Sequence, residues 1–206
     1  MSARTVPVIV DHAAYRSYLP PALGDRVRWQ LFWNDPFAQW WSQLRPQWSL
    51  TAQLADTDTV ARIGPELPGG TATQSGIGSL GDLRFKCRYT ASVPPPATLT
   101  VAGALRMTGA DIRRPGAAAP SRKLQEQAMT TGVVKRIQLV SILMDWRPGI
   151  LPGTATQQPI AGTEWFYDLA SPPDALHTYR PRQGRTGFTD EQLRQELLLV
   201  DLAVEQ

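Results

Sequence analysis

Two histidines, one cysteine and a thin scatter of carboxylates are the groups from which this chain would have to assemble an active site. His177 follows Asp174 closely enough for a Ser/His/acid relay to draw on the pair, but no G-x-S-x-G elbow supplies the nucleophile, so His177 reads as a loop side chain. His12, the other histidine, follows Asp11 at the end of a short apolar run. Glu164 and Asp168 flank Trp165, Phe166 and Tyr167, and in an extended segment both carboxylates share a face with Phe166. They are the least unfavourable acidic pair for acid–base work on a small hydrophobic substrate, and read otherwise as a solvated strand end. Cys87 alone cannot form an intrachain disulfide or a cysteine-based zinc site. Gly76, Gly78 and Gly81 lack the Lys-Ser/Thr ending of a phosphate loop, and there is no calcium loop, H-E-x-x-H or dinucleotide fingerprint. No catalytic residue, metal ligand or cofactor is assigned.

Binding chemistry has more to draw on. Arg84, Lys86 and Arg88 alternate with Leu83, Phe85, Cys87 and Tyr89, which places three cations on one side of a strand and the apolar set, Cys87 included, on the other. That ridge serves either to solvate the strand and protect its edge or to face phosphates. Arg136 adds a fourth cation. Tryptophan is dense from Trp29 to Trp48, with Trp40 and Trp41 adjacent, and the cluster is either a core plug or an exposed stacking and docking surface. A formal charge of +3 permits an anionic partner without requiring one.

These residues need strands to hold them. Hydrophobic residues at 42% and charged residues at 19% fit a folded chain, and 18 prolines with 16 glycines call for many turns and short elements, which favours β structure. The organising stretch is Thr131 to Trp146. Val133, Ile137, Leu139 and Leu143 are predicted on one face, Arg136 and Gln138 on the other, and the later part is predicted to be buried on both sides. Arg26 to Trp33 alternates cleanly, with Val27, Trp29, Leu31 and Trp33 inward. Asn34, Asp35 and Pro36 start a short helix carrying Phe37, Trp40, Trp41 and Leu44, expected to cap one end of a barrel. Further strands are expected at Val6 to Val10 as an edge, Trp48 to Leu54, Thr98 to Met107 with a bend at Gly103, Thr163 to Leu169, and Leu197 to Val204. Helical turns are expected at Ser121 to Ala128 and from Thr189. Long loops are expected at about 64–82, 108–130 and 147–162.

The segments VDHAAYRSYLPPALGDRVRWQL, TTGVVKRIQLVS, PGTATQQPIAGTEWFYDL and ELLLVDLAVE together resemble the layout of a bacterial family of small β-rich proteins described only as a domain of unknown function. Gly24, Asp25 and Val27 match its G-D-x-V strand, and Thr131, Gly132, Val134, Arg136 and Ile137 match its T-G-x-V-x-R-I strand. The family's Cys-Cys opening is absent. The resemblance implies a fold and no activity.

The expected architecture is mostly β: a single domain over residues 1–206, built as a small, partly open barrel of OB or SH3-like type with one or two short helices. The N-terminal stretch MSARTVPVIVDH reads as neither a signal peptide nor a membrane span, so a cytoplasmic protein away from membranes is expected. The leading functional expectation is a non-enzymatic binding module for a protein partner or its own copy, with Trp40 and Trp41 in the surface. The alternatives are a single-stranded nucleic-acid binder using Arg84, Lys86, Arg88 and Arg136, and an enzyme using Glu164 or Asp168.

Overall fold

The computed structural model describes residues 3–35, 41–56, 73–92, 94–117, 128–148, 155–179 and 192–205. In chain order these form β1 (Ala3–Val10), α1 (His12–Ser17), β2 (Arg26–Asn34), a 3₁₀ turn (Ser42–Leu44), β3 (Ser49–Asp56), β4 (Thr73–Leu80), β5 (Leu83–Thr90), β6 (Thr98–Ala102), β7 (Leu105–Ala110), β8 (Met129–Pro148), β9 (Ala155–Pro159), β10 (Trp165–Asp168), β11 (Thr178–Tyr179) and β12 (Leu193–Glu205). The described residues are thus mostly β, with one short α-helix.

All twelve strands belong to one sheet. β8, β12, β1, β7 and β2 pair in that order, and β2 pairs back onto β8, so five strands close a ring. The closing contact joins the two motifs that carry the family resemblance. Gly24 N–H donates to the Val134 carbonyl and Val134 N–H to the Asp25 carbonyl, both at 2.9 Å, and Arg26, Val27 and Arg28 then run antiparallel to Val133, Gly132 and Thr131. β2 uses Arg26 to Gln30 for β8 and Phe32 to Asn34 for β5, and from β5 the sheet continues through β4 and β3 to β6. One strand thereby serves both the ring and the arm.

Side-chain alternation fills the interior as the sequence predicts on three strands. Trp29, Leu31 and Trp33 of β2, Leu83, Phe85, Cys87 and Tyr89 of β5, and Leu198, Val200, Leu202 and Val204 of β12 share one buried cluster. β8 departs by one residue. Its ladder with β12 pairs Arg136 with Asp201 but Val134 with Leu202, leaving Lys135 as an extra residue. This bulge resets the alternation, so Val134, and not Val133, joins Ile137 in the core. Beyond it Val140, Ile142 and Met144 pack on the opposite side with Ile9, Ala104, Leu197 and Leu199, so the strand is buried on both faces there, as expected. Leu44 of the 3₁₀ turn is buried in this second cluster and Trp41 packs against it. Residues 41–44 therefore cover the outside of β1, β8 and β12 instead of capping an end, because that outer face is itself apolar. Residues 36–40, including Trp40, lie outside the described residues, as do the helical turns expected at 121–127 and from Thr189.

Other expectations change for identifiable reasons. β1 is no edge: it pairs antiparallel with β12 and parallel with β7. α1 follows it, capped by the Asp11 carboxylate, which accepts the Ala14 N–H at 3.0 Å. Thr98 to Met107 divides at Gly103, whose φ of +82° gives the turn between β6 and β7. Residues 73–80, expected in a loop, form β4, and residues 155–159 form β9. The glycines of β4 hid it from the hydrophobic pattern, yet they face the core: a Cβ at Gly78 would lie 2.3 Å from the Phe85 ring. The interior position is filled by the neighbouring strand's aromatic.

That packing yields a test. Gly78→Ala should destabilise the protein by about 1–3 kcal/mol through overpacking, read as a lower urea midpoint at unchanged slope. Pairing it with Phe85→Leu should cost less than the sum of the two single changes.

Candidate functional site

The surface that stands out is the short strand β10. Its pairing on β8 sets Trp165 opposite Ser141, Phe166 opposite Val140, Tyr167 opposite Leu139 and Asp168 opposite Gln138, and no strand among the described residues pairs with its other edge. Three aromatics in a row cannot all face one side of a strand. Accordingly Trp165 is 54% exposed, Phe166 39% and Tyr167 49%, while Trp29, Leu31 and Trp33 on β2 are 3%, 0% and 5%. Of the described tryptophans between Trp29 and Trp48, Trp29 and Trp33 are core, Trp41 packs on the outer cluster, and half-buried Trp48 packs against the main core and donates its indole N–H to the Thr5 carbonyl at 3.0 Å.

Side chains anchor β10 from both faces. Below the sheet end, Arg194 of β12 is buried, and its Nη1 donates to the Ser141 carbonyl at 3.0 Å, to Ser141 Oγ at 3.4 Å and to the Thr163 carbonyl at 3.3 Å. Its guanidinium carbon lies 4.2 Å from the centre of the Trp165 ring, a cation–π contact that fixes the indole's orientation. Tyr179 of β11, 43% exposed, shares a hydrogen bond of 3.3 Å between its hydroxyl and Ser141 Oγ. The approach loop is locked too: Ile160 N–H donates to the Leu143 carbonyl at 2.8 Å, and Leu143 N–H donates to Thr163 Oγ1 at 3.2 Å.

On the other side Arg136 grips Asp168 in two places, Nε to Oδ1 at 2.7 Å and Nη2 to Oδ2 at 3.0 Å. Arg45 donates from Nη2 to Gln138 Oε1 at 2.6 Å and to the Asp201 carboxylate at 3.3 Å, so the cations and acids form one network across β10, β8 and β12. The hydrogen bond from Arg136 holds the Asp168 carboxyl below its usual range, and the same bond raises the Arg136 guanidinium. A carboxylate so engaged is a poor general base. Glu164 Oε2 is buried without a hydrogen-bond partner among the described residues.

The residues singled out from sequence separate into different places. Trp41 is half-buried against the outer cluster. Arg84, Lys86 and Arg88 project from the outer face of β5, with Arg84 exposed and the others half-buried. Arg136 lies six residues along β8 from Thr130, whose hydroxyl donates to the Arg84 carbonyl at 2.6 Å, so Arg136 and the ridge are separated by roughly 20 Å of strand. They do not make one stripe. Lys86 is shifted down by burial. Burial pushes the Cys87 thiol up to about 11, which leaves it protonated and unreactive near neutral pH. His12 Nε2 bonds to the Leu176 carbonyl at 2.8 Å, a structural role, and His177 N–H donates to Glu196 Oε2 at 2.9 Å. Among the described residues no group of three His, Cys, Asp or Glu side chains is placed to hold a metal ion. Arg194, Arg45 and Tyr179 were missed by the sequence reading. The signal that points to the patch is the consecutive aromatic triplet itself, in a segment too short to bury both faces.

A surface groove of about 590 Å³ lies elsewhere, between β2 and the β7 end, lined by Leu19, Pro21, Val27, Ile112 and the ion pair Arg28–Asp111 at 3.0 Å. Neither Glu164 nor Asp168 lines it.

The Asp168 environment makes a pH prediction. A depressed carboxyl stabilises the folded state above its unfolded value of 3.8 and loses that contribution as pH falls through the lower folded value. In a carbon-detected NMR titration Asp168 should titrate below 3.8, and Arg136→Gln should move it back up. An Asp168 that titrates at its ordinary value in the parent protein would contradict the pairing.

Comparison with known proteins adds no relative: no family model, no curated protein and no solved structure matches the chain.

Proposed function

We propose that the protein is a non-enzymatic binding module that engages another protein, or a second copy of itself, by adding a strand to the open edge of β10. The observation that carries this reading is a strand with no second pairing partner among the described residues, whose Trp165, Phe166 and Tyr167 are all exposed. Soluble proteins blunt exposed edges with charge, proline or a covering element unless the edge is used. Tryptophan, tyrosine and arginine are also the side chains that concentrate binding energy in interfaces, and all three meet where Trp165 lies on Arg194.

Magnitudes indicate what kind of partner fits. Covering the half of each ring now in water removes roughly 75–125 Å², or about 2–3 kcal/mol apiece. Three rings therefore contribute about 6–9 kcal/mol, comparable with the ~4–15 kcal/mol cost of association. Side chains alone leave little surplus, so main-chain hydrogen bonds from an extended segment must supply the rest. An added strand offers them; a flat surface does not.

The wider frame of this proposal is a single domain in which the five-strand ring and its β5–β4–β3–β6 arm make a small, partly open barrel of OB or SH3-like type. The shared core running from β1 to β12 supports it. The proposal also takes the chain to work in the cytoplasm. Among the described residues no helix is long and apolar enough to cross a membrane.

Photo-crosslinking tests the reading. A benzophenone amino acid in place of Phe166 or Tyr167 should give one discrete protein adduct in cells. The same probe at Leu23, also exposed but far along the chain, should give none. A mass-spectrometric match of the adduct to this chain identifies self-association. Equal smears at all three positions, or no adduct at β10, would refute the proposal.

A further inference from the structure

The edge of β10 turned away from β8 has a defined main-chain polarity. Leu169 N–H donates to the Ile137 carbonyl at 2.9 Å, and the β10–β8 register runs on from that pair. In an antiparallel ladder such bonds recur at every second residue, so Trp165, Tyr167 and Leu169 turn their main chain toward β8. Phe166 and Asp168 therefore direct their N–H and C=O groups away from it. The side chains divide in the same way: Trp165 and Tyr167 stand on the face of Arg194, Phe166 and Asp168 on the face of Arg136. Arg136 and Asp168 have side chains 47% and 66% exposed, and as a matched ion pair they present no net charge to an approaching surface.

We infer that the strand added to this edge is β10 of a second copy, antiparallel and related by a two-fold axis at Tyr167; this rests on the strand-addition reading above and names its partner. A two-fold axis normal to the sheet keeps each side chain on its own face, so it pairs only residues of the same parity. With the axis at Tyr167, Phe166 of each copy lies opposite Asp168 of the other. The N–H and C=O groups that these residues turn outward then satisfy one another, and all of them belong to the strand itself. Each Phe166 ring meets the other copy's Arg136–Asp168 fork, whose guanidinium offers a cation–π contact. On the opposite face Tyr167 meets Tyr167, and Trp165 meets the half-buried Leu169. Moving the axis to Phe166 would set Glu164 against Asp168 of the other copy, a like-charge contact that the Tyr167 register avoids by leaving Glu164 beyond the strand. A second copy also brings a matching aromatic triplet. At roughly 75–125 Å² a ring, the two triplets cover about 450–750 Å² of apolar surface, the scale of a weak, reversible contact and not of an obligate dimer.

Sedimentation velocity and cysteine trapping of the full-length chain test the inference. Between about 10 µM and about 1 mM the average mass should rise from that of one chain toward that of two. Phe166→Asp, which sets carboxylates against each other across the axis, should weaken the dimer more than about tenfold, and the milder Phe166→Ala should move the same way. Tyr167→Cys places its two thiols at a non-hydrogen-bonded pair with Cα atoms about 4.5 Å apart, inside the roughly 4.4–6.8 Å that a disulfide spans. Phe166→Cys leaves its two copies offset by two residues and about 8–9 Å apart, too far to bridge. Mild oxidation should therefore link Tyr167→Cys into a covalent dimer and leave Phe166→Cys unlinked, with the buried Cys87 taking no part. A chain that stays monomeric at about 1 mM would overturn the inference, as would trapping at position 166 in preference to 167. If the chain is monomeric and the crosslinker on β10 captures a different protein in cells, strand addition stands and the second copy falls. If it captures nothing, both fall.

Discussion

The ladder between β8 and β12 is the constraint on which the remaining structure depends. Eleven residue pairs run from Leu193–Met144 to Ala203–Val133, interrupted only by the bulge at Lys135. Over much of this length both faces are covered by apolar side chains, so no water reaches the backbone and every amide and carbonyl needs a partner. β12 supplies one edge of β8. The other edge is shared along its length by β2 over Met129 to Val133, β10 over Gln138 to Ser141 and β9 over Met144 to Pro148. A twenty-residue strand therefore recruits four neighbours, and the ring, the arm and the exposed edge all follow from where each neighbour stops.

Two consequences bear on function. First, the described tryptophans of this stretch are taken up in packing: Trp29 and Trp33 are core, and Trp41 packs against the outer cluster. Second, β10 pairs with β8 over four residues and with no other strand among the described residues. Its aromatics are kept in place by polar devices, the Arg194 stack on one face and the Arg136–Asp168 fork on the other. A greasy edge fixed by charged side chains is preorganised for the strand addition proposed above, since little entropy remains for such binding to remove. The catalytic reading finds less support: Asp168 is held by Arg136, the Cys87 thiol is buried and protonated, and His12 is tied to a backbone carbonyl.

Much of the sheet was legible in the residues. Alternation identified β2, β5 and β12 with their inward faces, because one side of each is apolar and the other is not. Parity failed on β8 because a bulge inserts one residue, and no local pattern marks Lys135 as that residue. β4 was illegible because its inward positions Gly76 and Gly78 contribute no hydrophobic signal; their partners, Leu54, Tyr89 and Phe85, fill the space. Of the sites, the β5 ridge was visible as a pattern, but its separation from Arg136 was not, because that depends on which part of β8 lies beside β5. The β10 patch was visible as an aromatic strand, while its exposure depended on which edges β8 had already filled.

Hydrogen–deuterium exchange on the isolated protein tests this account most directly. Peptides covering Thr130 to Leu143 and Leu198 to Val204 should exchange most slowly of all, at the rate of global unfolding, while the peptide containing Trp165 to Asp168 exchanges far faster. Rapid exchange along β8 and β12, or protection of β10 equal to theirs in the protein alone, would contradict it.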